Sequence, residues 1–267
     1  MVAAPARPGR WSRGDAPPAQ LAATSEVVPF SEARAHCSTC HVRALCLPLG
    51  LDTEVLRHLD TAINLRMRVK RRGTLYRPGD RFTGLYAIRL GTFKTVVLAE
   101  DGREQVTGCH MAGEVLGLDG IGDQRFASEA IALEDSEVCV LQYAHLDRLS
   151  HEVPGLRHNL LRLASRDLVR NRAMMLLLGS RAADERLAIF LLDIAERYHA
   201  RGYSAREFVL RMTREEIASY LGLKLETVSR LFSSLQESGL IHVQGRAVKL
   251  IDAARLRQLV GHQPPSF

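Results

Sequence analysis

The hydrophobic pattern of this chain changes from strand-like to helical at Pro154, and that change limits the folds open to it. Between residues 64 and 143, short apolar runs such as 85–88 and 95–98 alternate with glycine-containing turns. Many short strands at regular spacing predict an antiparallel sandwich or roll. Pro154 suits the first turn of a helix, and the apolar residues after it recur at helical spacing. The sequence therefore predicts an α+β protein whose N-terminal part is an antiparallel β-roll.

The helix predicted after Pro154 carries two rows of residues with a seven-residue repeat. The rows are Leu161, Leu168 and Met175, and Ala164, Asn171 and Leu178. Such rows form the a and d positions of a coiled coil, and a polar residue within them fixes the register. We therefore predict a long dimerisation helix that pairs with its copy in a homodimer. The alternative is a helix that packs only against its own domain.

Residues 213–236 have the pattern of two short helices joined by a glycine turn. Thr213 and Glu216 form a capping box that starts the first helix, and Gly222 supplies the turn. Residues 241–250 then read as a β-hairpin. A helix-turn-helix followed by a hairpin is a winged helix-turn-helix, and its second helix suits the major groove of double-stranded DNA.

The second of these helices places four polar residues near its N-terminus. They are Glu226, Thr227, Ser229 and Arg230. Arginine can bond guanine O6 and N7, glutamate can accept from cytosine N4, and hydroxyl groups can reach base edges or phosphate. The net charge of +6 also suits a polyanionic partner. The alternative for Glu226 and Arg230, four residues apart, is an exposed salt bridge of about 0.3–0.5 kcal/mol.

Three of the five cysteines, Cys37, Cys40 and Cys46, lie within ten residues of one another. Thiolates this close favour one metal or iron–sulfur site over three separate positions in a core. A fourth ligand must then come from elsewhere, and the remaining cysteines are Cys109 and Cys139. The pattern leaves open which of the two completes the site.

Two other chemistries compete for the cysteines. A structural zinc site more often uses two paired Cys or Cys/His units, whereas this chain has one Cys-x2-Cys pair, with His36 and His41 beside it. An enzyme with a reactive cysteine is the third reading, but no nucleophile, base and orienting group stand out together. We therefore expect a binding protein rather than an enzyme.

The chain contains no apolar run of about 18 residues and no apolar segment typical of a signal peptide. An odd number of cysteines without an export signal favours reduced thiols or metal ligands over disulfides. We therefore expect a cytoplasmic protein without a membrane partner.

From about residue 36 onward the sequence resembles the CRP/FNR superfamily of bacterial transcription regulators. It is most similar to the FNR branch, the oxygen-responsive regulators of anaerobic metabolism. The matching stretches are His36-Cys37, Leu45-Cys46, Leu85-Tyr86-Ala87-Ile88-Arg89, Ala112-Gly113-Glu114, Glu185-Arg186-Leu187-Ala188, Met212-Thr213-Arg214, Leu221-Gly222-Leu223, Glu226-Thr227 and Ser229-Arg230-Leu231. The resemblance implies a cyclic-nucleotide-binding-like roll, a dimerisation helix and a winged helix-turn-helix.

The resemblance also implies a [4Fe-4S] cluster that senses oxygen. The cysteines at the positions of the family's ligands are Cys37, Cys40, Cys46 and Cys139. Cys109 falls where the family has a residue that is not a ligand, so we expect a buried, inert thiol there. The implied function is a DNA-binding transcription regulator that dimerises and controls genes of anaerobic metabolism.

For the partners, the resemblance implies DNA sites of the TTGAT-N4-ATCAA type, with half-sites read by Glu226, Ser229 and Arg230. It implies RNA polymerase as a second partner, because the hairpin tip 100–103 resembles a surface that the family presents to the polymerase. Arg103 stands there in place of a typical acid.

Asn171 departs from the FNR pattern, which has an aspartate at this position in the dimer seam. Two facing carboxylates would repel each other and hold the cluster-free subunits apart, and asparagine removes that repulsion. We therefore expect looser coupling between the cluster and dimerisation in this chain.

A CRP-like regulator that binds cyclic AMP in the roll is the alternative within the superfamily. Those relatives grip the nucleotide with a glutamate and an Arg-Ser pair. Glu114 is present here, but Arg125 is followed by Phe126, so the Arg-Ser pair is missing from the expected stretch.

The predicted domain division follows from these patterns. It comprises a disordered leader (1–30), a cysteine cluster segment (31–50), a β-roll sensor domain (51–151), a dimerisation helix (152–180), a winged helix-turn-helix domain (181–260) and a tail (261–267).

Overall fold

The computed structural model describes residues 27–30, 36–46, 50–51, 53–62, 65–98 and 102–261. Two antiparallel sheets in the N-terminal half are followed by a long helix and then by a smaller domain of helices with a three-stranded sheet. The predicted fold class is therefore confirmed: an α+β chain with a roll, a long helix and a winged helix-turn-helix. The leader up to residue 26, the tail from 262 and part of the hairpin tip, 99–101, lie outside the described residues.

Among the described residues, nine strands build the roll. They are β1 (Val27–Phe30), β2 (Leu65–Val69), β3 (Thr74–Tyr76), β4 (Gly84–Leu90), β5 (Thr92–Leu98), β6 (Glu104–Met111), β7 (Val115–Leu116), β8 (Glu129–Ala132) and β9 (Ser136–Gln142). One sheet has the order β1-β2-β9-β4-β7 and the other β3-β8-β5-β6, and all paired strands are antiparallel. A short 3-10 turn, Leu118–Gly120, follows β7.

The leader assignment is wrong for its last four residues. Residues 27–30, which the sequence pattern placed in the leader, form β1 and pair antiparallel with β2 at the edge of the five-stranded sheet. Pro29 does not prevent this, because an edge strand can leave one side of its backbone unpaired.

Aromatic rings fill one end of the roll. The rings of Tyr76 and Phe126 stack with centroids 3.9 Å apart, and Phe82 meets Phe126 edge to face at 5.5 Å. All three side chains are buried. Two helices, α1 (Thr53–Ala62) and α2 (Tyr143–Glu152), flank the roll and contribute Leu56, Leu59 and Leu146 to the same core. Neither helix was predicted from the sequence pattern.

The predicted long helix is α3 (Pro154–Ser180), with Pro154 in its first turn. Its N-terminal end packs into the roll through Leu156, and its C-terminal end packs into the second core through Leu177. The helix therefore connects the two halves of the molecule.

The C-terminal domain contains the winged helix-turn-helix. Its elements are α4 (Ala183–Ala200), β10 (Glu207–Val209), α5 (Arg214–Leu221), α6 (Leu225–Glu237), β11 (Ile241–Gln244), β12 (Ala247–Leu250) and α7 (Ala253–Leu259). The predicted hairpin is β11–β12, and β10, which the sequence analysis missed, pairs with β12 as a third strand. The predicted capping box starts α5: the Glu216 N–H donates to Thr213 Oγ1 at 3.1 Å and the Thr213 N–H to Glu216 Oε2 at 2.7 Å.

The helix-turn-helix docks on the roll through α5. The N–H of Val106 in β6 donates to Ser219 Oγ at 2.9 Å, and Lys94 of β5 forms a 2.9 Å ion pair with Glu216. The outer face of β5 and β6 also shares a hydrophobic core with α4 and the winged helix. The second helix, α6, is left with its polar side exposed.

Candidate cysteine site and nucleic-acid interface

Four of the five cysteines converge on one cavity between the cysteine segment, α1 and the outer face of the five-stranded sheet. The cysteines that line this cavity are Cys37, Cys40, Cys46 and Cys139. Apolar side chains, including Val42, Leu59, Ile88 and Leu141, form much of the remaining wall. The structure therefore brings Cys139 to the other three, although it lies far from them in the chain.

Strand pairing places Cys139 in the cavity. Cys139 lies in β9, the central strand of its sheet, opposite Ala87 of β4 and Arg66 of β2. Leu141, two residues further on, lines the same cavity because alternate residues of a strand point to the same face.

Tight turns bring the other three thiols together. The N–H of Cys40 donates to the Cys37 carbonyl oxygen at 3.3 Å, and the N–H of Arg43 donates to the Cys40 carbonyl oxygen at 3.2 Å. The N–H of Cys46 donates to the Val42 carbonyl oxygen at 3.2 Å. Val42 is buried beneath these turns. These successive turns place the side chains of Cys37, Cys40 and Cys46 on the same side of the segment, facing the cavity.

Asp60 of α1 fastens the cysteine segment to the domain. Its carboxylate accepts the Cys37 N–H, accepts the Ser38 hydroxyl at 3.1 Å and lies 3.6 Å from His36 Nδ1. The side chain of Asp60 is only 12% exposed. Sequence analysis missed this residue, because an isolated acid in a helix gives no signal of its contacts.

The thiols in the cavity influence one another electrostatically. Burial raises the pKa of Cys37 well above its ordinary value, and the neighbouring Cys46, Asp60 and Cys139 raise it further. Burial also raises the pKa of Cys139 to about 11, with a further contribution from Cys40. The thiols of Cys37 and Cys139 therefore stay protonated unless a bound cationic group compensates their negative charge.

The cavity offers four thiols from two distant parts of the chain as possible ligands. In the part of the chain that the structure describes, no three His, Cys, Asp or Glu side chains form a group that could hold a single metal ion. An iron–sulfur cluster takes four cysteine thiolates at separated iron atoms, and four thiols around a mostly apolar cavity match that requirement.

Two arginines, Arg43 and Arg89, also line the cavity, and the cysteine pattern had not indicated them. Arg89 lies 3.3 Å from Glu137, which leaves it partly neutralised. Positive charge beside four thiolates offsets part of their repulsion.

Cys109 lies elsewhere, in β6, within the core shared by the roll and α4. It is 5% exposed, and burial raises its pKa to about 11. A thiol that is buried and protonated reacts slowly, which agrees with the inert role expected for it.

The candidate nucleic-acid interface is the exposed side of α6. Glu226, Ser229 and Arg230 are exposed and Thr227 is half-buried. Three apolar residues, Val228, Phe232 and Leu235, hold the opposite side of the helix in the core. Among the described residues no ion pair joins Glu226 to Arg230, so the two side chains remain available for a ligand.

A stripe of exposed apolar residues runs along α3. Leu161, Leu168 and Met175 are 66%, 58% and 66% exposed. Val169 and Leu176, seven residues apart and missed by the sequence analysis, are exposed beside them. The second predicted row differs: Asn171 is exposed, Ala164 is half-buried, and Leu178 is half-buried against the C-terminal core of its own chain.

Comparison with known families agrees with this architecture. A model of the cyclic nucleotide-binding domain matches residues 66–152, and a model of the Crp-like helix-turn-helix domain matches residues 185–259. Among the residues that the structure describes, none of the helices combines the length and apolar character needed to cross a membrane.

Individual proteins match over most of their length. The transcriptional regulatory protein btr of Bordetella pertussis is 45% identical over 236 residues, which cover 88% of this chain and 98% of that protein. The fumarate and nitrate reduction regulatory protein of Escherichia coli K12 is 42% identical, covering 85% and 91%. The structure of FixK2 from Bradyrhizobium japonicum, 29% identical, aligns with a TM-score of 0.69 over 74% of this chain and 98% of that one. With its roll, long helix and winged helix-turn-helix, the chain belongs to the CRP/FNR family of DNA-binding transcription regulators, and it is not an enzyme.

Proposed function

We propose that this regulator senses oxygen or redox state through a [4Fe-4S] cluster ligated by Cys37, Cys40, Cys46 and Cys139. The observation that carries the proposal is the convergence of these four thiols on one cavity, with Cys109 in a separate core. In this proposal the regulator controls genes of anaerobic metabolism, as the E. coli relative's name, fumarate and nitrate reduction regulatory protein, suggests.

The chain's own residues give the site its properties. When bound, such a cluster would supply an oxygen-sensitive group, and the four thiolates would hold it and be linked through it. Apolar side chains shield the partly buried thiols, and Asp60 holds the first turn of the segment against α1. Without such a group, the cysteine segment would no longer be tied to the sheet that carries Cys139.

Dimerisation through α3 and DNA reading through α6 complete the proposed function. The exposed row of Leu161, Leu168 and Met175 supports a seam with a second copy of the chain. Burying these exposed apolar side chains against each other would remove them from water and stabilise the dimer. In the dimer, two copies of α6 would read the half-sites of a TTGAT-N4-ATCAA-type operator. RNA polymerase is the proposed partner of the bound dimer.

The experiment is a serine scan of all five cysteines in anaerobically purified protein. We expect wild type to be brown, with four iron atoms per subunit, and each of the four ligand substitutions to abolish the visible absorbance. Cys109→Ser is the matched control and should retain the spectrum. A colourless wild-type protein, or a spectrum lost in Cys109→Ser and kept in Cys139→Ser, would contradict the proposal.

A cyclic-nucleotide-responsive regulator is the second candidate, because the cyclic nucleotide-binding domain model matches the roll. Two observations count against it. Phe126, at the position expected for the serine of the Arg-Ser pair, is buried and stacked on Tyr76 inside the roll. Glu114 is occupied by arginines of its own chain. Calorimetric titration with cyclic AMP should therefore give no binding.

A further inference from the structure

A largely buried group of charged side chains joins three parts of the molecule at Glu114. Its carboxylate accepts hydrogen bonds from Arg170 of α3 at 3.0 Å, from Arg197 of α4 at 2.9 Å and from Arg201 of α4 at 2.7 Å. Arg197 and Arg201 also donate to backbone carbonyl groups at the end of β6, at 2.6 and 2.7 Å. One carboxylate thus fixes the roll, the long helix and the first helix of the C-terminal domain relative to one another.

The charges in this group depend on one another. Burial by itself would raise the pKa of Glu114, but Arg197, Arg170 and Arg201 hold it well below its usual range. The side chains of Arg197 and Arg201 are 9% and 7% exposed, so water cannot replace a lost partner. Asp193, 3.2 Å from Arg197, is the second carboxylate of the group. Buried charges of this kind move together, because separating one from its partner is costly.

The cysteine segment packs directly against the residue before Glu114. Gly113 has a φ of +90°, in the left-handed region, and a Cβ on it would lie 2.7 Å from the Cβ of Leu45. The same added Cβ on Gly113 would lie 3.6 Å from the Cβ of Val42. Both residues lie between the second and third cysteines of the segment. The absence of a side chain on Gly113 therefore lets the segment touch the backbone that carries Glu114.

We propose that Glu114 is a positioning residue that transmits the state of the cysteine segment to α3 and to the DNA-binding domain. The inference rests on the proposed function for the identity of the signal. A shift of Leu45 on Gly113 displaces the Glu114 backbone, and the arginines follow their carboxylate. Arg170 directly precedes Asn171 of the predicted seam, so the same displacement reaches the dimer interface. Arg197 and Arg201 of α4 transmit the displacement of Glu114 to the helix-turn-helix.

The first test compares DNA affinity with and without the cluster in wild type and Glu114→Gln. If the cluster state changes the wild-type Kd by a factor typical of allosteric coupling, about 5–150-fold, the ratio should fall toward one in Glu114→Gln. The iron content of the variant should stay at the wild-type value, because Glu114 does not line the cysteine cavity. An unchanged ratio in Glu114→Gln would overturn the proposal.

Glu134→Gln is the matched control. Glu134 also bridges the roll to the C-terminal domain, through a 3.2 Å ion pair with Arg211, but it does not take part in the Glu114 group. We expect the control to keep the wild-type ratio. An equal loss of coupling in both variants would mean that any contact between the domains suffices, and the specific role of Glu114 would be refuted.

A double-mutant cycle tests the connection from Leu45 to Glu114 and its arginines without relying on the cluster. In cluster-free protein, Leu45→Ala should speed amide hydrogen exchange in α3 and α4 around the three arginines. The same substitution should add little in the Glu114→Gln background, because the connection is already broken. Additive effects would overturn the proposal, whereas a wild-type protein without iron would overturn only the proposed function.

Arg170→Gln replaces Glu114→Gln in both experiments if the latter does not fold. It removes the α3 connection and leaves Arg197 and Arg201 on the carboxylate. We expect a reduced ratio of DNA affinities and a reduced response of α3, but not of α4, to Leu45→Ala. A wild-type response of α3 would contradict the proposal.

Discussion

Single side chains determine how the cysteine segment is held. Besides the packing of the cysteines against the roll, Asp60 fixes the segment through one carboxylate that accepts hydrogen bonds from Cys37 and Ser38. Because this carboxylate is mostly shielded from water, its hydrogen bonds with the segment are stronger than exposed ones. The stability of the site therefore depends on a residue outside the cysteine pattern.

Asp60→Ala should shorten the lifetime of the cluster without changing its ligands. The first turn of the segment loses its attachment to α1, and the site becomes more accessible to oxygen. The decay of visible absorbance after transfer to air measures the effect, with Ser38→Ala as a milder control that removes only one hydrogen bond. Equal decay rates in wild type and Asp60→Ala would show that this attachment does not protect the site.

On the DNA side, Arg230→Ala should relax base preference at one position of each half-site. A bidentate arginine contact to guanine contributes about 1–3 kcal/mol of discrimination, or roughly 5–150-fold in Kd. Binding to the cognate site and to sites with that base pair substituted should be measured over a range of salt concentrations. A uniform loss on all sequences with a shallower salt dependence would instead identify Arg230 as a phosphate contact.

At the scale of elements, α3 has two roles that use different faces. Its ends are anchored in the two hydrophobic cores, while the middle of one face exposes a row of large apolar residues. Asn171 lies on this exposed face and donates to Asp167 Oδ2 at 3.2 Å, one turn earlier on the same helix. The polar position of the proposed seam is thus hydrogen-bonded to a neighbour within its own chain.

Asn171→Asp should weaken the cluster-free dimer. Two carboxylates would then face each other across the seam, and each would also lie one turn from Asp167, a repulsion of about 0.2–0.5 kcal/mol within the helix. Sedimentation at matched concentration and low salt measures the monomer–dimer constant, because exposed charges are screened beyond about 8 Å at physiological salt.

The double variant Asp167→Asn, Asn171→Asp separates these two effects. It removes the repulsion within the helix and keeps the repulsion across the seam, so the dimer should remain weaker than in wild type. Equal constants for wild type and both variants would refute the assignment of Asn171 to the seam.

At the scale of the whole molecule, α6 is positioned by the neighbouring helices α5 and α4, which dock on the roll. The helix before it docks on the roll through Ser219 and the Lys94–Glu216 ion pair, and α4 is tied to the roll through Glu114. The roll and the DNA-binding domain therefore form one connected body, and a symmetric dimer would present two α6 helices at a fixed separation.

That fixed separation predicts a strict dependence on operator spacing. Half-sites read by a two-fold dimer lie about one helical turn apart, roughly 34–36 Å. Inserting five base pairs between TTGAT and ATCAA would turn one half-site to the opposite face of the DNA, so the affinity should drop to that of a single half-site. Retained affinity after the insertion would mean that subunits bind independently.

The features that the sequence by itself determined are local. The capping box of Thr213 and Glu216 joins residues three apart, and the exposed row on α3 follows from a repeat along one helix. The order of strands before helices, which fixed the fold class, also follows from periodicities of two and 3.6 residues. Interactions this close in the chain form in almost any tertiary context, so their pattern can be read directly.

Only the tertiary structure decided which distant residues meet. The choice between Cys109 and Cys139 as a neighbour of the cysteine segment depends on strand order, which puts β9 in the centre of one sheet and β6 at the edge of the other. Residue spacing left that choice open, and only the family resemblance favoured Cys139. Glu114, which would be a nucleotide ligand in the cyclic AMP alternative, is neutralised by arginines from two helices of its own chain. Such contacts are set by how sheets and helices pack, and that packing is a property of the whole chain rather than of any local segment.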